Sequence, residues 1–321
     1  MKFGVLVPHF GEHASPESII VASRQIEEMG YDSVWVRDHI LWKPHGMEGS
    51  NITFVEPFIT LAAIGAVTRR IELGTAVLIP IRWPLKVAQN FASLSFLTGG
   101  RVIAGIGLGS NPAEFAAAGF RLEDREDILR ETTEIVRQVW DRNAVSYRGK
   151  VFAFDDVSLE PKPVRRIPLL YGGTTRASVR RAVQYTDGWM PGRIPLATLD
   201  DRLDLLRRLA EESGKTMTVG VIPLVRIARD RSAARDGLDV HALAESSAGA
   251  RHWLLPPSGG FHTLEDLEGL IVVGNPDDCK REIDKFVARG IDHFIVDLRL
   301  DYDQYLDRLG LFADTVLPAF H

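Results

Sequence analysis

IELGTAVLIPIRWPLKVAQNFASLSFLTGGRVIAGIG, residues 71–107, holds one complete unit of the architecture. Residues 71–79 are a near-continuous apolar run, the pattern of a strand covered on both faces. Residues 84–97 repeat apolar positions at helical spacing. Residues 101–107 then return to a short apolar run. Strand, helix and strand in this order make a parallel crossover with the helix outside the sheet. The glycine inside IELGT marks a bulge or a close backbone approach, or else a tight strand in a barrel.

The unit recurs along the chain. Strands are predicted at 3–7, 33–37, 71–79, 101–107, 167–173, 187–192, 217–228 and 292–298. Helices are predicted between them, the first over 16–29 with Ser15 as cap, Pro16 in the first turn and Gly30 as stop. Eight repeats fit a closed (β/α)8 TIM barrel better than an open doubly wound sheet. Such a barrel needs about 250 residues, which leaves room for insertions in a chain of 321. The expectation is an α/β fold, a single barrel domain over 1–321. One insertion spans about 141–166 and contains a hairpin over 145–154 turning at Gly149. The other, about 230–275, is a variable segment before the last βα unit, read either as a lid over the barrel mouth or as a surface loop. An irregular stretch holding Pro44, Gly46 and Gly49 follows the second strand.

Composition narrows the function. The formal charge is −5, a poor match to a phosphate-backbone binder, so no nucleic-acid partner is expected. Cys279 is the one cysteine, so neither an internal disulfide nor a multi-cysteine metal site can form. No apolar run approaches the length of a membrane span, and residues 1–10 are too short of apolar positions for a signal peptide. A cytoplasmic protein with no membrane partner is expected. No HExxH, Walker A or GxSxG motif occurs, and no metal site is expected.

Barrel chemistry sits where strands end. Asp38-His39 follows the second strand, where a carboxylate can orient an imidazole as proton donor or acceptor; a capping Asp beside a surface His fits the same residues. Gly105-x-Gly107-x-Gly109 and Ser110 close the fourth strand without matching the dinucleotide spacing. Tyr171-Gly172-Gly173-Thr174-Thr175-Arg176 opens a helix, an arrangement that suits an anion or a simple Thr cap. Phe10, Trp42 and Trp83, with Trp189 and Arg193, lie near strand ends and are candidates for substrate contact or for core packing. A pair of acids for glycoside cleavage, such as Glu114 and Asp187, remains open.

Taken as an ordered set, FGVLVP (3–8), YDSVWVRDHI (31–40), RIELGTAVLIP (70–80), PLKVAQNFASLSFLTGGRVIAGIGLGSNPAEF (84–115) and IPLLYGGTTRASVRRAVQYTDGWMPG (167–192) resemble the luciferase-like monooxygenases. The resemblance is close over about 1–190, looser over 271–320 and faint through 225–270. It implies a (β/α)8 barrel binding coenzyme F420 or, alternatively, FMN at its mouth. It places a non-proline cis peptide at Ala76–Val77 beside the coenzyme ring. It makes His39, with Asp38, the acid–base residue. It sets Gly107, Gly109 and Ser110 near the ring, and Gly172, Gly173 and Thr174 around the phosphate. Ser110 stands where some F420-dependent sugar-phosphate dehydrogenases carry a glutamate proton donor, which argues against that substrate. Glu114, one helical turn on, substitutes for it weakly.

The resemblance thus implies an oxidoreductase moving hydride to or from a small organic substrate. Two readings stand beside it: an FMN-dependent monooxygenase served by a separate reductase, and a non-catalytic flavin binder. A homodimer is the family expectation.

Overall fold

The structure is a computed structural model and describes residues 1–42, 49–248 and 252–321. The predicted irregular stretch at Pro44 and Gly46 lies outside them. The first half of the chain contributes β1 (Lys2–Leu6), α1 (Ala22–Glu28), β2 (Ser33–Val36), α2 (Pro57–Val67), β3 (Glu72–Thr75), α3 (Pro84–Thr98), β4 (Val102–Gly107), α4 (Pro112–Ala117) and α5 (Arg125–Asp141). A hairpin, β5 (Val145–Arg148) and β6 (Ala153–Val157), leads to β7 (Leu169–Gly172), α6 (Arg176–Tyr185), β8 (Gly188–Gly192), α7 (Leu196–Glu212) and β9 (Thr218–Val221). The chain ends through β10 (Leu224–Ile227), α8 (Arg231–Arg235), α9 (Val240–Ala248), β11 (Ile271–Gly274), α10 (Pro276–Val287), β12 (His293–Val296) and α11 (Tyr305–Thr315).

Among the described residues, eight parallel strands close a barrel in the order β1-β12-β9-β8-β7-β4-β3-β2. The predicted closed barrel is therefore observed. Leu6, Trp35, Ile103, Leu170, Met190, Ile222 and Ile295 fill its interior, and a larger apolar layer joins the outer strand faces to the helices. Trp35 explains the strand glycines. A β-carbon on Gly4 would fall 2.5 Å from its indole, and one on Gly74 would fall 2.2 Å away. Gly74 is thus the tight-barrel case, because the glycine hydrogen is what leaves room for the ring.

The predicted strand 217–228 is two strands. Pro223 lacks an N–H and interrupts the run, so β9 stays in the barrel while β10 leaves it and pairs with β11. Strand β11 falls inside the segment read only as an insertion. With α8 and α9 it forms a small lobe with its own core of Leu224, Leu243, Phe261, Leu267, Leu270 and Ile271. The described part of 230–275 is therefore packed structure. Helix α10 starts with a reciprocal cap between Asn275 and Asp278. No helix among the described residues is long and apolar enough to cross a membrane.

Candidate active site

The site begins with a bulge in the third strand. Beyond Thr75 the chain passes through a cis peptide at Ala76–Val77, and Leu78 rejoins β4 beside Ile106. This is the peptide that the family resemblance anticipates. Val77 turns its side chain toward β4 and β7. A β-carbon on Gly172 would meet it at 2.9 Å, and one on Gly105 would meet the Thr75 carbonyl at 2.0 Å. Gly109 takes a φ of +71°, the left-handed region where glycine carries no Cβ penalty. Ala76, Val77, Gly109 and Gly172, with Ile79, Gly107 and Leu108, form one wall of a cavity of about 600 Å³ at the C-terminal mouth.

His39 reaches this cavity from the end of β2. Its Nδ1 lies 3.1 Å from Glu114 Oε1. The same carboxylate accepts the backbone N–H of Ile40 at 2.9 Å. Glu114 is buried at 1% exposure, although it stands at the third position of the short helix α4. Burial pulls the His39 imidazole below the ordinary histidine range; Glu114 pulls it back and Arg37 adds to the fall. Asp38 points elsewhere. Arg82 donates to both of its oxygens, at 2.5 and 2.7 Å, and the Ile79 N–H donates at 2.9 Å. The predicted Asp–His partnership is thus a Glu–His partnership, and Asp38 instead fastens the end of β2 to the segment that follows the bulge.

Aromatic side chains flank His39. The Trp42 ring centre lies 5.0 Å from the imidazole and that of Phe54 lies 5.5 Å away. The Arg37 guanidinium sits over Phe10 at 4.7 Å and over Trp42 at 4.5 Å. His9 underlies this corner. Its Nδ1 donates to the Val55 carbonyl and its Nε2 accepts the Arg37 N–H, both at 2.8 Å. Burial lowers its pKa to about 4. Phe10 and Trp42, candidates for substrate contact, line not this cavity but a smaller one of about 70 Å³ with Tyr302 and Arg299. Trp83 is not brought here. It precedes α3, is 46% exposed, and packs on Phe152 and Phe154 of the insertion hairpin.

The other end of the cavity is polar. The Thr175 hydroxyl caps α6 by accepting the Ser178 N–H at 3.0 Å. Gly173 turns with a φ of +130°, and its carbonyl accepts the Trp189 indole N–H at 2.8 Å. Trp189 is therefore a buried support for this turn. Gly172, Gly173, Thr175, Ser178, Arg125 and Arg181 line the cavity together. Thr174 turns its hydroxyl to the ring of His252 instead. Arg176 is drawn to Asp201 at 2.5 Å. Arg202 donates to the carbonyls of both Thr174 and His252, tying the lobe to this turn.

Sequence reasoning therefore places Asp38, His39, Ala76, Val77, Gly107, Gly109, Ser110, Gly172 and Gly173 around one cavity, with the Asp38 carboxylate turned to Arg82. It misses Arg125 and Arg181, which come from different helices. Glu114 is weighed in the sequence as a proton donor or as one acid of a glycoside-cleaving pair; its partner in that pair, Asp187, is ion-paired with Arg137 and Arg166 and does not line the cavity. No group of three or more metal-ligating side chains occurs among the described residues.

The cavity pairs a flat, glycine-lined apolar wall with a cationic, hydroxyl-bearing end. That combination suits a planar ring joined to a phosphate. Comparisons with known proteins agree in kind. The luciferase-like monooxygenase family model matches residues 1–293. The F420-dependent glucose-6-phosphate dehydrogenase of Amycolatopsis mediterranei is 26% identical, over 96% of this chain and 95% of that protein. The F420-dependent hydroxymycolic acid dehydrogenase of Mycobacterium tuberculosis is 33% identical, over 58% of this chain and 51% of that protein. Among solved structures, an F420-dependent secondary alcohol dehydrogenase in complex with an F420-acetone adduct superposes with a TM-score of 0.81. It is 22% identical and covers 100% of this chain and 99% of that one, a likeness of fold.

Proposed function

The chain belongs to the luciferase-like monooxygenase family and is a flavin- or deazaflavin-dependent oxidoreductase, and we propose that its coenzyme is F420 and its reaction hydride transfer to or from a small organic substrate. The observation that carries this reading is His39, a partly buried imidazole on the wall of the cavity, fixed by Glu114. Oxidation of an alcohol carbon to a carbonyl needs a base for the hydroxyl proton, and reduction needs the same group as acid. A coenzyme of this class supplies the carbon that takes or gives the hydride.

The residues present fit that coenzyme. Ala76, Val77, Gly107 and Gly109 offer a flat wall, and Gly172 and Gly173 leave the backbone open where a phosphate would sit. Thr175, Ser178, Arg125 and Arg181 supply donors and charge at that end. His39 then takes or returns the substrate proton, while Trp42, itself packed on Phe10, backs the imidazole from the side of the smaller cavity. Ser110 is exposed and carries no acid, so proton transfer falls to His39. We take residues 1–321 as one domain. We also take the assembly as a homodimer; the outward-facing Ile59 of α2 and Phe96 and Leu97 of α3, exposed at 67%, 61% and 74%, support that reading.

Titration of the purified protein with oxidised F420 and with FMN, followed by fluorescence, tests the coenzyme. Selective F420 binding, with reduction of the bound coenzyme by secondary alcohols, supports the reading. Selective FMN binding would replace it with oxygen chemistry and a separate flavin reductase. Stoichiometric binding without turnover across a broad substrate panel would leave a binding protein.

A further inference from the structure

We propose that Glu114 is the positioning residue of His39: it holds the imidazole with the proton on Nδ1, so that Nε2 offers its lone pair to the cavity. Its consequence for turnover rests on the oxidoreductase reading above; its consequence for the imidazole does not.

The contacts are one-sided in a way that sets the tautomer. A carboxylate accepts hydrogen bonds and donates none. Glu114 Oε1 receives the N–H of Ile40 at 2.9 Å and that of Leu41 at 3.3 Å. Both Glu114 oxygens stand within 3.2 Å of His39 Nδ1. The bond between the side chains therefore needs the proton on Nδ1. Nε2 has no partner among the described residues, and the ring borders the cavity.

The position of Glu114 is not explained by its own helix. At the third residue after the Asn111 cap, a glutamate ordinarily folds back to the cap's N–H. Here the carboxylate crosses instead to a loop more than seventy residues earlier in the chain and ties down both the ring and the backbone beyond it. Among the described residues, the groups facing His39 leave Glu114 as its one hydrogen-bonded carboxylate. Asp38 is held by Arg82, Arg37 lies between Phe10 and Trp42, His9 is turned to Val55 and the Arg37 N–H, and Trp42 and Phe54 are apolar ring contacts. A carboxylate on Nδ1 steadies the positive charge as Nε2 takes a proton, and it keeps the ring aimed.

Nitrogen-15 NMR of histidine-labelled protein, without coenzyme, reads the tautomer directly. The expected result is a protonated Nδ1 and a bare Nε2 on His39. Glu114→Gln keeps an oxygen for the Ile40 and Leu41 N–H groups but presents an amide N–H to Nδ1, so the proton should move to Nε2. F420 affinity should hold within about two-fold while kcat/KM falls about 100-fold, the scale of a lost general base. The acid limb of the kcat/KM profile should move to lower pH. Glu114→Asp, which returns a carboxylate, should recover part of the rate. A bare Nδ1 in the unsubstituted protein would overturn the proposal, whether or not any variant folds. Full turnover by a Glu114→Gln protein whose tautomer has reversed would overturn the catalytic role. An Nδ1 proton in a protein that binds no F420 would leave the pair standing and sink the coenzyme reading instead.

Discussion

The Cγ2 of Val77 stands 2.4 Å from the place a β-carbon on Gly107 would occupy. Non-bonded carbons do not sit that close, so the glycine and the bulge require each other. Gly107 was legible as a glycine near the coenzyme ring and Gly172 as one near its phosphate. The structure adds that they form the notch into which Val77 fits. The bulge in β3 and the glycines of β4 and β7 are thus one device spread over three neighbouring strands.

Gly107→Ala should drive Val77 out of its notch and into the cavity. Overpacking of this kind costs about 1–3 kcal/mol, and the displaced side chain should weaken F420 binding by about ten-fold or more. Val77→Ala should be mild alone and should restore part of the loss in the double variant, since the two residues are in contact. Equilibrium unfolding and coenzyme titration of the four proteins close this cycle. Additive effects would show that the notch does not set the wall.

Asp38 should behave as a structural clamp. Its side chain is 1% exposed and Arg82 is 17% exposed. Removing one partner of a buried pair leaves the other uncompensated, at about 3–5 kcal/mol. Asp38→Ala should therefore lower the denaturation midpoint markedly and disorder the wall that Ile79 helps to form. Asp38→Asn keeps an acceptor for the Ile79 N–H and should retain more of both stability and turnover. A fully stable Asp38→Asn protein without activity would return Asp38 to the chemistry.

The anion end predicts a contrast among arginines. Arg125 and Arg181 line the cavity, Arg181 paired with Glu126 of the same wall, whereas Arg176 pairs with Asp201 and does not line it. A hydrogen bond to a charged group contributes about 1.5–3 kcal/mol. Arg125→Ala and Arg181→Ala should each weaken F420 binding by roughly ten-fold or more, and increasingly so at low salt. Arg176→Ala should leave it unchanged. The reverse order, read by fluorescence titration, would move the phosphate out of this end of the cavity.

What the sequence made legible follows from range. Strands such as FGVLV and RVIAGIG announce themselves because every residue in them meets the same local rule, burial on both faces. Strand-end residues such as His39 follow once the barrel is assigned, because its topology places all strand ends at one mouth. Glu114 does not follow. Its partner lies 75 residues away, and no spacing encodes that meeting. The same holds for Arg181, which reaches the cavity from the second turn of α6, whereas Arg176, adjacent to the glycines, points away. Trp83 misled for the opposite reason. Its place after a strand suggested the mouth, but the hairpin of another segment offers it Phe152 and Phe154. Strand β11 was missed because four apolar residues inside a segment without rhythm carry no periodicity to count.

His9 ties this corner of the barrel to acid stability. It is fully buried between the Val55 carbonyl and the Arg37 N–H, and burial lowers its pKa to about 4 from 6.5. The unfolded chain takes this proton near pH 6.5 and the folded chain only near pH 4. Between those values the unfolded state holds more protons, so stability rises with pH and is lost as pH falls. At about 1.4 kcal/mol per pH unit, the full interval amounts to about 3 kcal/mol. His39, His252 and His293, whose pKa values burial also lowers, add to the slope with the same sign. His9→Gln keeps one donor and one acceptor but does not titrate. It should cost some stability at pH 7.5 and then lose about 3 kcal/mol less than the unsubstituted protein on the way to pH 4. Urea unfolding across that range measures the difference, and parallel curves for the two proteins would mean that His9 gains its proton with little resistance in the folded chain.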